Sequence, residues 1–162
     1  MSRRFQRIEK RKALYRMKNI RKATVNDVPR IAEIVVFGFR LNFYPIFRND
    51  AYYFNELQVH KVMKRYEEAI DKIWVYDDGV VKGFIWIEGR EVKKLYVEPV
   101  LQGNGIGAKL LNMAICDYGV EYLWALEKNV NAIRFYERHG FHMTGEKIPE
   151  EDTTEFLVRL ER

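Results

Sequence analysis

The chain has 162 residues, 48% hydrophobic and 31% charged, a balance typical of globular proteins and unlike collagen-like, disordered or membrane composition. The longest apolar run, residues 34–39, is far shorter than the ~20 residues that cross a bilayer, and the N-terminus lacks the apolar segment of a signal peptide. We therefore expect a cytoplasmic protein that does not bind membranes. Cys116 is the only cysteine, which excludes an internal disulfide and a thiolate metal cluster.

The net charge of +5 is concentrated at the N-terminus. Residues 1–16 carry a charge of +6, which leaves −1 for the rest of the chain. A basic arm attracts phosphates, but the remainder gives no electrostatic reason to make nucleic acid the main ligand. We expect residues 1–16 to be a basic N-terminal extension, solvated or helical, and residues 17–162 to be a single domain, because a chain of this length can bury one substantial core.

The first predicted elements are a short strand at residues 20–23 and a helix after the capping residues 24–27. Eight aromatic residues then crowd positions 37–54, where Pro45 breaks the chain into turns. This aromatic segment could form the wall of an acceptor pocket, part of the core or the face of a homodimer. A second helix is expected to end near Ile70.

The hydrophobic period then changes to that of strands. Residues 73–76 and 80–87 flank Asp78-Gly79, a strong signal for a two-residue hairpin turn. A third strand is expected at residues 91–97 and must end before Pro99, because proline has no N–H for the ladder. The pattern predicts a three-stranded meander.

The last third of the chain alternates again. A glycine-rich turn at residues 102–107 leads into a helix that Gly119 can terminate. A strand at residues 120–126, a short helix at 129–139 and two strands at 141–147 and 154–160 follow. The predicted order is β-α-α-β-β-β-α-β-α-β-β, with no internal repeat.

Three glycines, Gly103, Gly105 and Gly107, stand between a strand and a helix, where backbone N–H groups and the helix dipole suit a pyrophosphate. The spacing from Gly103 to Ala108 also matches the dinucleotide-binding fingerprint, and Glu127 follows at about the position of a ribose-binding acid. However, too few residues follow for further βα units. A dinucleotide-binding enzyme therefore stays the weaker alternative.

Two blocks of sequence resemble the GNAT superfamily of acyl-CoA N-acyltransferases, and the resemblance spans residues 20–160. The first block is LYVEPVLQGNGIGAKLL at residues 95–111, similar to the family's strand, (Arg/Gln)-x-x-Gly-x-(Gly/Ala) loop and helix. The second is NVNAIRFYERHGF at residues 129–141, similar to N-x-x-A-x-x-F-Y-x-x-x-G-F. The resemblance implies an α/β (α+β) domain whose mixed, mostly antiparallel sheet has about seven strands, is flanked by about four helices and is splayed after residue 97.

The resemblance also implies acetyl-CoA as the acyl-donor co-substrate and a set of residues that bind it. Backbone amides of the loop would hold the pyrophosphate, and the third strand of the meander would pair with the pantetheine arm. The expected cofactor-binding residues are Leu95, Tyr96, Val97, Gln102, Gly103, Asn104, Gly105, Ile106, Gly107, Ala108, Asn129 and Tyr136. The implied activity is transfer of an acetyl group to a primary amine, on a small molecule or a peptide.

Such a transfer needs a neutral amine, a stabilised oxyanion and a proton for the departing thiolate. By the resemblance Tyr136 is the general acid. A lysine-like amine has a pKa near ~10.4, so a carboxylate must accept a proton from it, directly or through water. Glu91 is the expected base because it matches a family base and, counted in steps of two, shares a strand face with Leu95 and Val97. Glu88 is the reserve candidate.

The chain could bind acyl-CoA without catalysing transfer, although the complete loop and Tyr136 favour an enzyme. The three histidines, His60, His139 and His142, show no metal-ligand spacing, so no metal is expected.

Overall fold

The computed structural model describes residues 3–162, and a seven-stranded sheet forms its centre. The strands are β1 (Ile20–Lys22), β2 (Ile73–Asp77), β3 (Val81–Glu88), β4 (Glu91–Val97), β5 (Tyr122–Leu126), β6 (His142–Pro149) and β7 (Phe156–Glu161). They lie in the order β1-β2-β3-β4-β5-β7-β6. Every neighbouring pair is antiparallel except β4 and β5, which are parallel.

Helices cover both faces of this sheet. They are α1 (Arg3–Arg16), α2 (Val28–Asn42), the single turn α3 (Tyr44–Phe47), α4 (Val59–Glu68), α5 (Ile106–Tyr118) and α6 (Val130–Arg138). The predicted mixed, mostly antiparallel sheet of seven strands is confirmed, as is the order of its elements. The structure adds α3 and shows the N-terminal segment as the helix α1.

The core is divided by the sheet into two layers. On one face, α5 and α6 bury Leu110, Leu111 and Ile133 against the sheet. On the other face, α2 packs Ile31 and Ile34 over β2 and β3 in a cluster that also contains Tyr66 of α4. The two layers follow from the apolar stripes of these helices and the alternating strands.

The centre of the sheet opens between β4 and β5. These strands pair only through Glu91↔Tyr122 and Val92↔Leu123. The separation therefore begins after Val92, earlier than the position after residue 97 that the sequence predicts. Its physical cause is a β-bulge at Lys93, because Trp86 and Ile87 of β3 pair with Lys94 and Val92. An extra residue bends a strand and increases its twist.

The aromatic segment at residues 37–54 is divided between core and surface. Tyr53 is buried with Val36 and Leu57 in a small cluster of its own. Phe37 and Phe54 are exposed. The segment thus contributes to the core, which is one of the three roles expected of it.

The N-terminal helix α1 lies on the surface and has no buried residue. Its contact with the rest of the chain includes a hydrogen-bonded ion pair from Arg16 Nη2 to Asp117 Oδ1 at 2.8 Å, at the end of α5. The predicted basic extension also includes Met1 and Ser2, which lie outside the described residues.

Candidate active site

The glycine-rich loop joins β4 to α5 and has two residues in the left-handed backbone conformation. Gly103 has φ +80° and Gly105, the N-cap of α5, has φ +79°, a region that L side chains rarely adopt. The first helical hydrogen bond runs from Lys109 N to Gly105 O at 3.0 Å. The N–H groups just before it have no helical acceptor, so this end of α5 can receive an anion.

Two side chains hold the loop in place. The amide of Gln102 donates to Val97 O at 3.3 Å, and the amide of Asn104 donates to Leu101 O at 3.0 Å. Both bonds go to backbone carbonyls of the loop or of the strand that leads into it. The side chains therefore brace the loop while its backbone N–H groups stay free for a ligand.

The strand β4 provides a second wall. Beyond Val92 it has lost its partner β5, so no strand pairs with it on that side as far as Val97, whose carbonyl accepts the Gln102 amide. The other side remains paired with β3, from Glu91 to Val97. A free strand edge of this kind can pair with an extended chain that carries amides.

The helix α6 provides the third wall and carries Tyr136. The side chain of Asn129 caps this helix by accepting a hydrogen bond from Ala132 N at 3.3 Å. Tyr136 is 8% exposed, and its ring meets Phe135 and Phe141 edge-on. Its hydroxyl makes no hydrogen bond within residues 3–162. Burial raises the pKa of Tyr136, so the hydroxyl keeps its proton at neutral pH.

These three walls enclose one cleft of about 630 Å³. Eleven of the twelve residues predicted to bind the cofactor line it: Leu95, Tyr96, Val97, Gln102, Gly103, Gly105, Ile106, Gly107, Ala108, Asn129 and Tyr136. The exception is Asn104, whose side chain is turned back to Leu101. Residues far apart in sequence are thus brought together by the fold as the two motifs indicate.

Sequence reasoning missed several residues of the cleft. These are Asn42, Leu101, Asn131, Ala132, Arg134, Phe135, Arg138 and His139. Those on α6 recur at helical spacing around Tyr136, which is the signal that could have identified them. Gly107 has a packing reason as well, because a β-carbon there would stand 3.4 Å from the Phe135 ring.

Glu91 lies on a different face of β4 from the one that its position in the sequence predicts. Because of the bulge at Lys93, Val92 rather than Glu91 shares the face of Leu95 and Val97. Glu91 lies on the opposite face of β4, and its side chain is 14% exposed and pairs with Lys93 Nζ at 3.2 Å. The expectation that Glu91 shares a face with Leu95 is therefore wrong, although its role as a base is a separate question.

The reserve base Glu88 is the cross-strand partner of Glu91 in the β3–β4 ladder. Its carboxylate accepts a hydrogen bond from Lys72 at 2.5 Å, which lowers the pKa of Glu88. A carboxylate with a lowered pKa is a weaker proton acceptor, and the Glu88 side chain is 40% exposed, against 14% for Glu91. Glu88 is thus the less suitable of the two.

The topology contradicts the dinucleotide-binding alternative. A doubly wound dinucleotide domain is built from parallel strands, whereas β5 pairs here with β7 in antiparallel fashion. Glu127 forms an ion pair with Lys147 and is not part of the cleft. Within residues 3–162, no group of three or more His, Cys, Asp or Glu is arranged to hold a metal ion, and none of the helices described is long and apolar enough to span a membrane.

The same architecture occurs in solved acetyltransferase structures. The solution structure of apo YjaB from Escherichia coli matches 88% of this chain and 95% of that one, with a TM-score of 0.73 and 23% identity. The crystal structure of PaiA N-acetyltransferase from Thermoplasma acidophilum in complex with coenzyme A matches 88% and 98%, with a TM-score of 0.62 and 20% identity. The fold is thus that of the N-acetyltransferases.

Sequence comparison gives the family. The family profile described as acetyltransferase (GNAT) domain matches residues 69–143. An uncharacterized N-acetyltransferase of Methanocaldococcus jannaschii is 30% identical over 144 residues, which are 78% of this chain and 60% of that protein. The spermine/spermidine N(1)-acetyltransferase of Bacillus subtilis is 32% identical over 78 residues, 44% of this chain and 47% of that protein. The chain belongs to the GNAT superfamily, and it spans about half the length of the curated relatives it matches.

Proposed function

We propose that this protein transfers an acetyl group from acetyl-CoA to a primary amine. The observation that carries the proposal is the cleft, in which the start of α5, the free edge of β4 and Tyr136 line one space. The start of α5 suits a diphosphate, and the free edge of β4 suits an arm that carries amides. The hydroxyl of Tyr136 suits a departing sulfur that needs a proton. Acetyl-CoA, as co-substrate, supplies the acetyl group as an activated thioester.

The residues of the cleft fit such a co-substrate. Backbone N–H groups at residues 103–108 precede the first helical hydrogen bond and can donate to phosphate oxygens. Arg134 and Arg138 line the same cleft and form no ion pair within the described part of the chain. Free guanidinium groups there suit phosphate charges, which arginine binds in a fork of parallel hydrogen bonds.

The proposed step forms a bond from the amine nitrogen to the acetyl carbon and breaks the bond from that carbon to sulfur. One proton leaves the amine and another must reach the thiolate. Tyr136 is proposed to give the second proton, because the residue lines the cleft and its hydroxyl is protonated and forms no hydrogen bond among the described residues. Solvent or the next catalytic cycle then restores the phenol.

Glu91 is proposed to accept the proton from the amine, through a water molecule. Its carboxylate lies on the α2 and α4 face of β4, next to the point where β4 leaves β5. Direct transfer is less suitable, because Lys93 holds the carboxylate at 3.2 Å. Removal of this group should slow the reaction most at low pH, where most of the acceptor is protonated.

The chemical class of acceptor is supported by the relatives. One of them is named for acetylation of spermine and spermidine, which are amines. We propose an amine acceptor for this chain as well, on a small molecule or a peptide. We also propose that residues 1–16 form an extension outside the transfer site, since α1 has no buried residue and lies against the far end of α5.

Titration calorimetry with acetyl-CoA, and with NAD as the control, tests the binding site. We expect heat with acetyl-CoA alone. Release of free thiol from acetyl-CoA in the presence of a panel of amines then separates an enzyme from a module that only binds acyl-CoA. Absence of binding to any acyl-CoA would refute the proposal, and binding without thiol release would favour the binding module.

A further inference from the structure

Three hydrogen-bond donors without partners meet on the face of the sheet that α2 and α4 cover. The indole Nε1 of Trp86 in β3 is buried and has no partner among the described residues. Lys94 is the cross-strand partner of Trp86, so both side chains project from the same face. The guanidinium of Arg65 in α4 lies 5.8 Å from the Trp86 ring centroid. The side chains that carry the three donors are therefore neighbours on this face.

The two cations of this group, Lys94 and Arg65, form no ion pair or hydrogen bond within residues 3–162. Burial lowers the pKa of Lys94, and the positive charges of Arg65 and Lys93 lower it further. The carboxylates of Glu150 and Glu91 act in the opposite direction without reaching it as ion pairs.

Arg65 is exposed to solvent, so the cost of missing partners falls on the buried N–H of Trp86 and on the half-buried Lys94, unless a ligand completes the arrangement. Hydrogen-bond donors alone, two of them charged, are suited to an anion. The group thus has the composition of a carboxylate-binding site.

The position of the three donors links them to the transfer site. Lys94 belongs to the part of β4 that has lost its pairing with β5, and it directly precedes Leu95, which lines the cleft. One residue of a strand spans only about 3.3 Å. A molecule held by these donors can therefore place another group at the opening between β4 and β5.

A second cavity on this face has a volume of about 270 Å³. Arg65 lines it together with Phe39, Tyr52 and Tyr66. The charged side chains of Glu56 and Lys61 line it as well, whereas Trp86 and Lys94 lie outside its lining. Cavities for drug-sized ligands are typically ~300–1,000 Å³, so this one suits a smaller molecule. Tyr52 and Phe39 bring part of the aromatic segment into the lining of this cavity.

We propose that the acceptor is an amino acid, a primary amine whose carboxylate is bound by Lys94, Arg65 and the indole N–H of Trp86. This inference rests on the proposed acetyl transfer and narrows its substrate class. Arg65 and Lys94 provide the charge, and Trp86 provides a fixed neutral donor. A polyamine would bring further positive charge toward two unpaired cations and is disfavoured for that reason.

Matched acceptor pairs test the inference. Initial rates of thiol release are compared for lysine against 1,5-diaminopentane and for phenylalanine against phenethylamine. Each pair differs only in the carboxylate. We expect the amino acid to have the higher kcat/KM by about tenfold or more, because hydrogen bonds to charged groups are the strong ones. Equal values within both pairs would overturn the inference while leaving the acetyl transfer intact.

Variants test which residues cause the preference for acceptors that carry a carboxylate. Lys94→Gln and Trp86→Phe should each reduce it about tenfold, mainly through KM; the second change keeps an aromatic ring against Tyr66 and removes the N–H. Lys64→Gln is the matched control, since it removes one exposed positive charge from α4 beside Arg65. A preference that survives Lys94→Gln, or that Lys64→Gln abolishes equally, would contradict the assignment.

A binding measurement makes the test independent of turnover. N-acetylphenylalanine and N-acetylphenethylamine are titrated into protein saturated with CoA. We expect the carboxylate-bearing product to bind at least about tenfold more tightly, and Lys94→Gln to remove the difference. Equal affinities would overturn the inference even if acetyl-CoA binds. Failure of acetyl-CoA itself to bind would instead refute the proposed function, and the inference with it.

Discussion

Replacement of Tyr136 by phenylalanine should separate catalysis from stability. The change removes one oxygen and keeps the ring that meets Phe135 and Phe141. If the hydroxyl is the general acid, kcat should fall by about 10²–10⁴, the range for loss of a positioned proton donor. That corresponds to a barrier higher by about 3–5 kcal/mol. The affinity for acetyl-CoA should stay within about twofold, because the hydroxyl is a small part of the contact.

The effect on folding should be of the opposite sign. The hydroxyl of Tyr136 is part of a side chain only 8% exposed and has no hydrogen bond among the described residues. Desolvation of an unpaired polar group costs about 1–3 kcal/mol, and residual access to the cleft reduces that cost here. We expect Tyr136→Phe to leave the unfolding free energy unchanged or to raise it by up to about 1 kcal/mol, which is a rise in Tm of ~2–4 °C for a chain of this size.

The assays are steady-state thiol release, calorimetry with acetyl-CoA and thermal unfolding. Tyr53→Phe is the control, because Tyr53 is also buried, its hydroxyl forms no hydrogen bond among the described residues, and it does not line the cleft. It should alter stability in the same way and leave kcat unchanged. Normal turnover in Tyr136→Phe, or equal losses of turnover and acetyl-CoA affinity, would refute the role of the hydroxyl as acid.

Three other predictions concern the loop, the base and an ion pair. Gly105→Ala and Gly119→Ala should each destabilise by about 1–2 kcal/mol, because both positions have positive φ, but only the first should weaken acetyl-CoA binding, by about tenfold in calorimetry. Glu91→Gln should depress kcat/KM most at the acid end of its pH profile; an unchanged profile would transfer the role to Glu88 or to solvent. The Arg21 guanidinium lowers the pKa of Asp27 in the folded protein. The ion pair therefore stabilises the fold above pH 3.8, the ordinary pKa of the carboxyl group, and this contribution is lost as the pH falls below that value. Asp27→Asn should cost about 1–3 kcal/mol at pH 7 and flatten the acid limb of the stability curve, whereas an unaltered limb in denaturant titrations would contradict this.

The elements that the sequence predicts well are those with a strong period. The apolar residues of 80–87 alternate, and those around Leu110 recur at helical spacing. Each pattern buries its apolar side chains in only one kind of element, so the strand and the helix appear where expected. The two GNAT motifs likewise specify a local conformation, in which Gly103 and Gly105 need positive φ. These features depend on residues close together in the chain.

Features that depend on register were not accessible in the same way. The bulge at Lys93 has no side-chain signature, so a count in steps of two placed Glu91 on the face of Leu95. The pairing of Trp86 with Lys94 depends on the same bulge and was not predicted either. Arg138 is similar: its position on α6 follows from helical spacing, but its presence in the cleft depends on how α6 packs on the sheet.

The bulge has a consequence for how this strand tolerates change. Because the extra residue at Lys93 shifts the pleat by one, the two halves of β4 follow opposite alternation rules. Loss of that extra residue would leave Glu91 and Val92 on their present faces, because Val92 and Lys94 would then alternate directly, but it would remove the local bend of β4. The spacing between Val92 and Lys94 therefore matters more for the opening between β4 and β5 than the identity of the residue between them, and a strand shortened there would pair further with β5 even with every functional side chain intact.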